Sequence, residues 1–182
     1  YAYFYPGAMP AASSSTHYYV PNVMKGKMIQ DGAPVNGYDA AAHPAPYATA
    51  TILQAIWAKV LYNCALNGLS TLLEVPYGKL LDSPHARRLM HEIIEEAYRV
   101  AAAHQIRLEP STAEAYREFL FTRLIPDTAA HRSSMLHDVA AGKPTEIEAL
   151  NGALVRLGEH AKVSVPVNTL ITRLVHAKEA FG

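Results

Sequence analysis

Along most of the chain after residue 51, apolar and polar positions recur with a helical period. Within residues 51–73, Ile52, Ile56, Val60 and Leu61 fall at the i, i+4, i+8, i+9 spacing of one helix face. Asp82 or Ser83 followed by Pro84 is an N-cap with proline at the first helical position, predicting a second helix to about His104. Ser111 with Glu114 forms a capping-box pattern for a third helix ending near Leu124, and Ser133 or Ser134 starts a short fourth that stops at Gly142. Thr145 with Glu148 is another capping box, opening a helix to about His160, and Val165-Pro166 leads into a last helix ending near Phe181. Six helices with short connections predict an all-α, bundle-like domain over residues 48–182.

The pattern is different before residue 48. Residues 1–47 hold seven of the eleven Tyr and six of the twelve Pro, but only four charged side chains, Lys25, Lys27, Asp31 and Asp39. Prolines at that density forbid a long helix, so this segment reads as an irregular arm or connector with at most short strands. Its tyrosines suit it to packing on the domain or on a second subunit, because Tyr buries area while keeping a polar tip wet; a loose terminus is the plainer alternative.

Composition narrows the function classes. The 182 residues carry 16 Lys plus Arg against 16 Asp plus Glu, so no chain-wide field attracts nucleic acid or an acidic membrane. No apolar run approaches the roughly 18 to 20 residues that a membrane span requires. A single cysteine, Cys64, excludes an internal disulfide and makes a reducing, cytoplasmic location the simplest expectation. The first residue is Tyr rather than Met, which fits a processed form, a fragment or a trimmed chain.

Two groups of polar residues stand where apolar ones are expected. Lys59, Asn63 and Asn67 lie at i, i+4 and i+8, so they form one stripe drifting about 40° per step. Asn is a poor mid-helix residue, and two beside a Lys suggest a cleft able to grip a carboxylate, carbonyl or hydroxyl; a solvated face is the commoner reading of the spacing alone. The second group is Ser134 with Asp138 one turn later, followed by Glu146 in the first turn of the next helix, where a carboxylate is favoured and backbone donors face an anionic ligand. Each of these has an ordinary capping explanation as well. His85 and His91, like His131 and His137, are six apart and share no face, so no metal site is expected. Cys64 reads as a buried, inert thiol. Gly26, Gly32 and Gly37 have the wrong spacing and surroundings for a dinucleotide-binding turn, so the usual machinery for holding a cofactor is absent.

Five blocks taken in order resemble the C-terminal domain of ketopantoate reductases (2-dehydropantoate 2-reductases). They are Trp57-x-Lys59-x-x-x-Asn63-x-x-x-Asn67, the helix of Arg88 and Glu96, Ser133-Ser134-Met135-x-x-Asp138, Thr145-Glu146-Ile147 with Asn151-Gly152, and Val165-Pro166-x-Asn168. The resemblance implies the helical half of a two-domain enzyme, in which a Rossmann domain binds NADP(H) and the helical domain binds a 2-oxo acid across the cleft. It further implies Lys59 as the catalytic acid and Glu146 as a holder of the substrate hydroxyl or an aid to proton transfer. Asn63, Asn67 and Ser134 would bind substrate, with Asp138 as polar support. A buried amine beside a forming oxyanion would supply both charge and a proton.

Three functions follow as alternatives. The chain is the substrate domain of an NADPH-dependent 2-oxo acid reductase that works with a Rossmann domain, in another chain or lost from this one, or as a homodimer. Alternatively it is a stand-alone, cofactor-free catalyst or small-acid binder in a biosynthetic pathway, with residues 1–47 closing the cleft. The third is a purely structural or dimerisation domain, which has no need of Lys59, Asn63, Asn67, Ser134 and Glu146 in a polar cleft.

Overall fold

A computed structural model describes the backbone of residues 29–30, 33–34 and 45–181, and side chains from residue 56 to 181. The chain divides into two compact units, Tyr1–Ile52 and Leu53–Gly182. In the first, β1 (Ile29–Gln30) pairs antiparallel with β2 (Ala33–Pro34), Ile29 opposite Pro34. The Tyr-bearing arm expected over the rest of residues 1–47, and its proposed path across a cleft, lie outside the described residues.

The second unit is helical throughout. Its elements are α1 (Ala45–Leu73, which starts in the first unit), α2 (Tyr77–Leu80), α3 (Pro84–Ala103), α4 (Ala113–Phe119), α5 (Ile125–Asp127), α6 (Ser134–Ala140), α7 (Asn151–Ala161) and α8 (Pro166–Phe181). The all-α expectation holds, with α2 and α5 added as single turns.

Caps explain most of the boundaries. Ser83 Oγ accepts from the Ala86 amide and Pro84 takes the first helical position of α3. Ser133 does the same for α6 by accepting from the Met135 amide, and Gly142, at φ 62°, supplies the left-handed residue that ends it. For α4 the cap is Thr112, accepting from Ala115, and not Ser111. This helix also does not stop at Leu124. It widens into a π turn, Leu120–Leu124, where the Ile125 amide bonds the Leu120 carbonyl; Pro126 has no N–H to give to the preceding turn, and the chain continues through it as α5.

Two expectations are corrected. The face Ile52, Ile56, Val60, Leu61 is only in part the buried one: Ile56 is exposed and Val60 half-buried, while Leu61 is buried together with Trp57, Cys64, Ala65 and Leu69. Apolar residues surround α1, so period alone does not choose the face that packs. The helix expected from Thr145 to about His160 is broken. Thr145 Oγ1 accepts from the Ile147 amide, but only a 3-10 turn follows, Ile147–Ala149, before Leu150 (φ −105°, ψ −99°) redirects the chain into α7. Glu148 does not return to the Thr145 amide, which donates instead to Glu179 Oε1 at 2.8 Å.

The break has a visible reason. It turns Asn151 inward, where its Nδ2 donates to the Cys64 carbonyl of α1 (3.1 Å) and to Asn168 Oδ1 of α8 (3.0 Å). Asn168 in turn meets a carboxylate: the backbone amides of Val167 and Asn168 and the Asn168 side chain donate to Glu96 of α3 at 2.9, 2.9 and 2.7 Å. Glu96, Asn151 and Asn168 are all buried. A negative carboxylate placed on the open amides of a helix N-terminus satisfies groups that the helix itself leaves unpaired. Around this polar knot packs the apolar core, including Met90, Ile93, Ile94, Ala97, Tyr116, Leu120, Ile125, Met135, Ile147, Leu154, Ile171 and Val175. Gly68 lets α1 approach α8 closely, since a Cβ there would lie 2.5 Å from Ile171 Cγ2.

Replacing Glu96 leaves three donors, two of them buried and one partly buried, without their acceptor. At about 1–3 kcal/mol per stranded group, Glu96→Ala is expected to lower unfolding free energy by about 3 kcal/mol or more in urea titration, and Glu96→Gln by less because one carbonyl acceptor remains. Equal stability of Glu96→Ala and the wild type would show that the knot is incidental.

Candidate functional site

The α1 stripe descends into the protein. Lys59 is exposed, Asn63 is half-buried and Asn67 is buried at 3% exposure. Four residues advance a helix by about 400°, so each step turns the stripe about 40° around α1. On the residues next to the stripe α1 meets the segment after α6: the Cys64 carbonyl is bonded by Asn151, and a Cβ at Gly68 would lie 3.9 Å from Ile147 Cδ1. The polar stripe and the turn carrying Glu146 therefore come from elements that touch. The burial expected for the Lys59 amine is not found; among the described residues it stands in solvent.

Asn67 is the anchored end of the stripe. Tyr77 of α2, itself buried, donates from its phenol to Asn67 Oδ1 at 2.6 Å. The α2 turn is held against the loop after α5 by the Tyr77 amide on the His131 carbonyl and the Gly78 amide on the Ala129 carbonyl, 3.0 and 2.9 Å. Tyr62, one residue before Asn63, stands edge-on to the Tyr77 ring and bonds Thr128.

The other predicted residues are less enclosed. Ser134, the first residue of α6, is exposed and leaves the capping to buried Ser133; Asp138 is half-buried one turn on. Glu146 is exposed just before the 3-10 turn and makes no side-chain cap. Among the described residues no hydrogen bond or ion pair joins Lys59, Asn63, Ser134, Asp138 and Glu146 to one another. The arrangement offers an amine, an amide and a carboxylate to solvent, and one further amide held in place from behind.

The segment bearing Glu146 is fastened to α8 by charge. His176 Nδ1 lies 2.7 Å from Glu179 Oε2 and its Nε2 lies 2.9 Å from Glu148 Oε1; Glu148 also meets Arg156 at 2.5 Å, and Glu179 receives the Thr145 amide. Gly152 makes room for the Glu148 carboxylate, which a Cβ would meet at 2.6 Å. The hydrogen bonds from Glu148 and then Glu179 raise the His176 pKa above its ordinary 6.5. His176 and then Arg156 lower that of Glu148. Partial burial opposes ionisation of Glu179, but bonds from Thr145 and His176 outweigh it and leave its pKa lowered. His176 and Glu179 stand three residues apart on α8, a local pair that spacing could have shown, whereas the bonds of Tyr77 to Asn67, His176 to Glu148 and Thr145 to Glu179 join residues 10 or more apart that spacing does not connect.

Burial pushes the Cys64 thiol up, as expected of an inert core cysteine. Among the described residues no three His, Cys, Asp or Glu side chains come together to hold a metal ion, and no helix is long and apolar enough to cross a membrane. Among the described residues one surface groove lies between α7 and α8 around Glu159 and Arg173, and another around Glu74, Lys178 and Phe181, beside Leu136, Val139 and Ala140 of the helix that carries Ser134 and Asp138.

Comparison with known proteins gives this geometry a context. Residues 51–179 match the family described as ketopantoate reductase PanE/ApbA C terminal. The 2-dehydropantoate 2-reductase of Aquifex aeolicus is 47% identical over 124 residues, which are 68% of this chain and 40% of that protein. That of Pyrobaculum aerophilum is 37% identical over 124 residues, 68% of this chain and 43% of its own. Among solved structures, a PanE/ApbA family ketopantoate reductase from Ralstonia eutropha superposes with a TM-score of 0.63 at 33% identity, over 70% of this chain and 41% of that one. D-mandelate dehydrogenase in a ternary structure with NADH and anilino(oxo)acetate superposes equally, TM-score 0.63 at 34% identity, over 72% of this chain and 42% of its own. The chain thus spans about two-fifths of the length of the relatives it matches.

The His176 cluster yields a pH prediction. Both ring nitrogens face carboxylates, so only the imidazolium can donate to both. Its raised pKa makes this stabilisation complete below pH 6.5 and lost as pH rises through the raised value; the lowered Glu148 and Glu179 contribute above 4.5 and fail as pH falls through theirs. Between these limits the fastening is whole. Exposed pairs are worth about 0.2–1 kcal/mol, so going from pH 6 to pH 8.5 is expected to reduce hydrogen-exchange protection of the Thr145 amide by that amount, after correction for intrinsic rate. In His176→Gln the protection is expected to be equally low at both pH values. A wild-type amide indifferent to pH over this range would contradict the assignment.

Proposed function

This chain belongs to the family of ketopantoate reductase C-terminal domains, and from that premise we propose that it is the substrate-binding and catalytic half of a nicotinamide-dependent reductase of 2-oxo acids. Residues 48–182 form the working domain, with residues 1–47 as an arm or connector. The observation that carries the reading is the α1 stripe. A domain that needed α1 only for packing has no use for an exposed Lys, a half-buried Asn and a braced, buried Asn on one line of a helix that touches the turn carrying an exposed Glu.

The roles follow from depth and chemistry. Asn67 and Asn63 hold the acid's carboxylate or keto oxygen, and Ser134 adds a hydroxyl from the start of α6, with Asp138 as polar support. Lys59 lies at the outer end, where its ammonium stabilises negative charge growing on the keto oxygen and gives that oxygen a proton. Glu146 accepts a hydrogen bond from a substrate hydroxyl. The described residues do not fit a dinucleotide, since they contain no strand running into a Gly-rich turn and helix. NADPH, the cofactor that the family resemblance implies, is therefore assigned no contact and no step on these residues; it would be held by a separate nucleotide-binding domain. The similar D-mandelate dehydrogenase structure is one with NADH.

This reading predicts that NADPH fluorescence stays unchanged when this chain is titrated with micromolar cofactor. It also predicts that the chain reduces ketopantoate or a related 2-oxo acid once a family nucleotide-binding domain is supplied. In that assay Lys59→Ala is expected to lower turnover by about 10²-fold or more, with the helical circular dichroism retained. Near wild-type turnover in a folded Lys59→Ala protein would remove Lys59 from the mechanism.

A further inference from the structure

The bond between Tyr77 and Asn67 does more than satisfy a buried phenol. An Asn side chain offers an oxygen acceptor and a nitrogen donor on opposite sides of one flat group, and rotation by about 180° exchanges them. Tyr77 donates to the Oδ1 side at 2.6 Å. Rotation would place Nδ2 against the phenol and turn Oδ1 outward.

The phenol itself is not free to follow. Its ring packs against His131, 5.0 Å between centroids, and edge-on to Tyr62 at 5.9 Å. Its backbone is tied to the 128–131 loop by the two amide bonds from Tyr77 and Gly78. At Gly78 a Cβ would lie 2.8 Å from Ala129 Cβ, so the two segments are in close contact. On the other side, Asn67 Nδ2 receives no acceptor from any described residue, and it is not among the fully enclosed polar atoms lacking a partner. A buried amide whose oxygen is claimed from behind and whose nitrogen has no acceptor among the described residues is a donor waiting for an acceptor.

We propose that Tyr77 is a positioning residue that locks Asn67 with its N–H outward, so that this point of the site accepts carboxylate or keto oxygens and disfavours groups that must donate, such as ammonium or amide N–H. The inference rests on the reading above, that Asn67 contacts the substrate, and adds which atom does so and what fixes it. Tyr77 touches no substrate; it acts through Asn67.

A double-mutant cycle separates the inference from the reading beneath it. Binding of ketopantoate to this chain is measured by titration calorimetry for the wild type, Asn67→Ala, Tyr77→Phe and the double variant. Each single change is expected to weaken binding about tenfold, the effect of losing one hydrogen bond to a charged group, and the double variant is expected to bind no more weakly than Asn67→Ala. Asn67→Asp, which keeps the bond from Tyr77 but turns an oxygen outward, is expected to abolish binding. If Asn67→Ala binds like the wild type, or the wild type does not bind, the substrate role of Asn67 fails. If Asn67→Ala weakens binding but Tyr77→Phe does not, or the two effects add, Tyr77 is no positioning residue. The orientation is also read without ligand. In the wild type the Asn67 side-chain NH2 protons are expected to show no nuclear Overhauser contact with the Tyr77 ring edge, and in Tyr77→Phe such contact is expected to appear; an amide oriented alike in both overturns the locking whatever the titrations show.

Discussion

The carboxylate of Glu96 sits on the open amides of α8, and from that contact a chain of buried hydrogen bonds runs through Asn168 and Asn151 to the backbone of α1 at Cys64. Apolar packing is non-directional, so Met90, Ile93 or Ile171 alone would tolerate α1 sliding or turning against its neighbours. A hydrogen bond to one particular carbonyl does not. The knot names Cys64 as the residue facing Asn151, and this sets which residues of α1 face the 145–151 turn and which face out. It also explains the interruption at Leu150: a continuous helix from Thr145 would carry Asn151 along its own axis, whereas the break delivers the amide inward. The arrangement is not fully satisfied, because Asn151 Oδ1 is enclosed without a partner.

Several boundaries were legible because they depend on local chemistry. Ser83 before Pro84, Ser133 before α6, Gly142 after it and Pro166 at the start of α8 act within one turn of themselves, so a single sequence displays them. What was not legible depends on partners far along the chain. The buried face of α1 is chosen by Asn151 and Ile171, about a hundred residues away, and a helix whose apolar residues spread over several faces gives little hint of the choice. Thr145 and Glu148 looked like a capping box, yet the Thr145 amide goes to Glu179 and Glu148 goes to His176 and Arg156. The local pattern was genuine and a longer-range partner outcompeted it.

The candidate site divides in the same way. Of the residues that carry the family resemblance, Trp57, Glu96, Asn151 and Asn168 prove to be core or knot, so their presence speaks for the fold. Lys59, Ser134 and Glu146 are exposed and Asn63 is half-buried, and among the described residues none of their side chains has a hydrogen-bond partner. Asn67 belongs to both groups, since one side of its amide is a structural acceptor and the other is unused. A motif match cannot separate these cases, because shared ancestry preserves scaffold and site together; burial and hydrogen-bond partners can.

Depth along α1 then bears on how the proposed chemistry would be switched on. The stripe is driest at Asn67 and wettest at Lys59, a direct consequence of the 40° drift per step as the helix turns toward the knot. On the proposed reading, an acid bound at the Asn67 end would be gripped where water is scarce, while the Lys59 amine assigned to the keto oxygen would remain hydrated. Charge stabilisation by an ammonium is strong only once competing water is removed. Nothing in the described residues removes it. On the proposed reading, whatever covers the outer end of the stripe both presents the reductant and excludes that water, so the amine becomes effective in the same event that makes reduction possible. Binding would then be built into this domain, and the timing of proton transfer into its meeting with another.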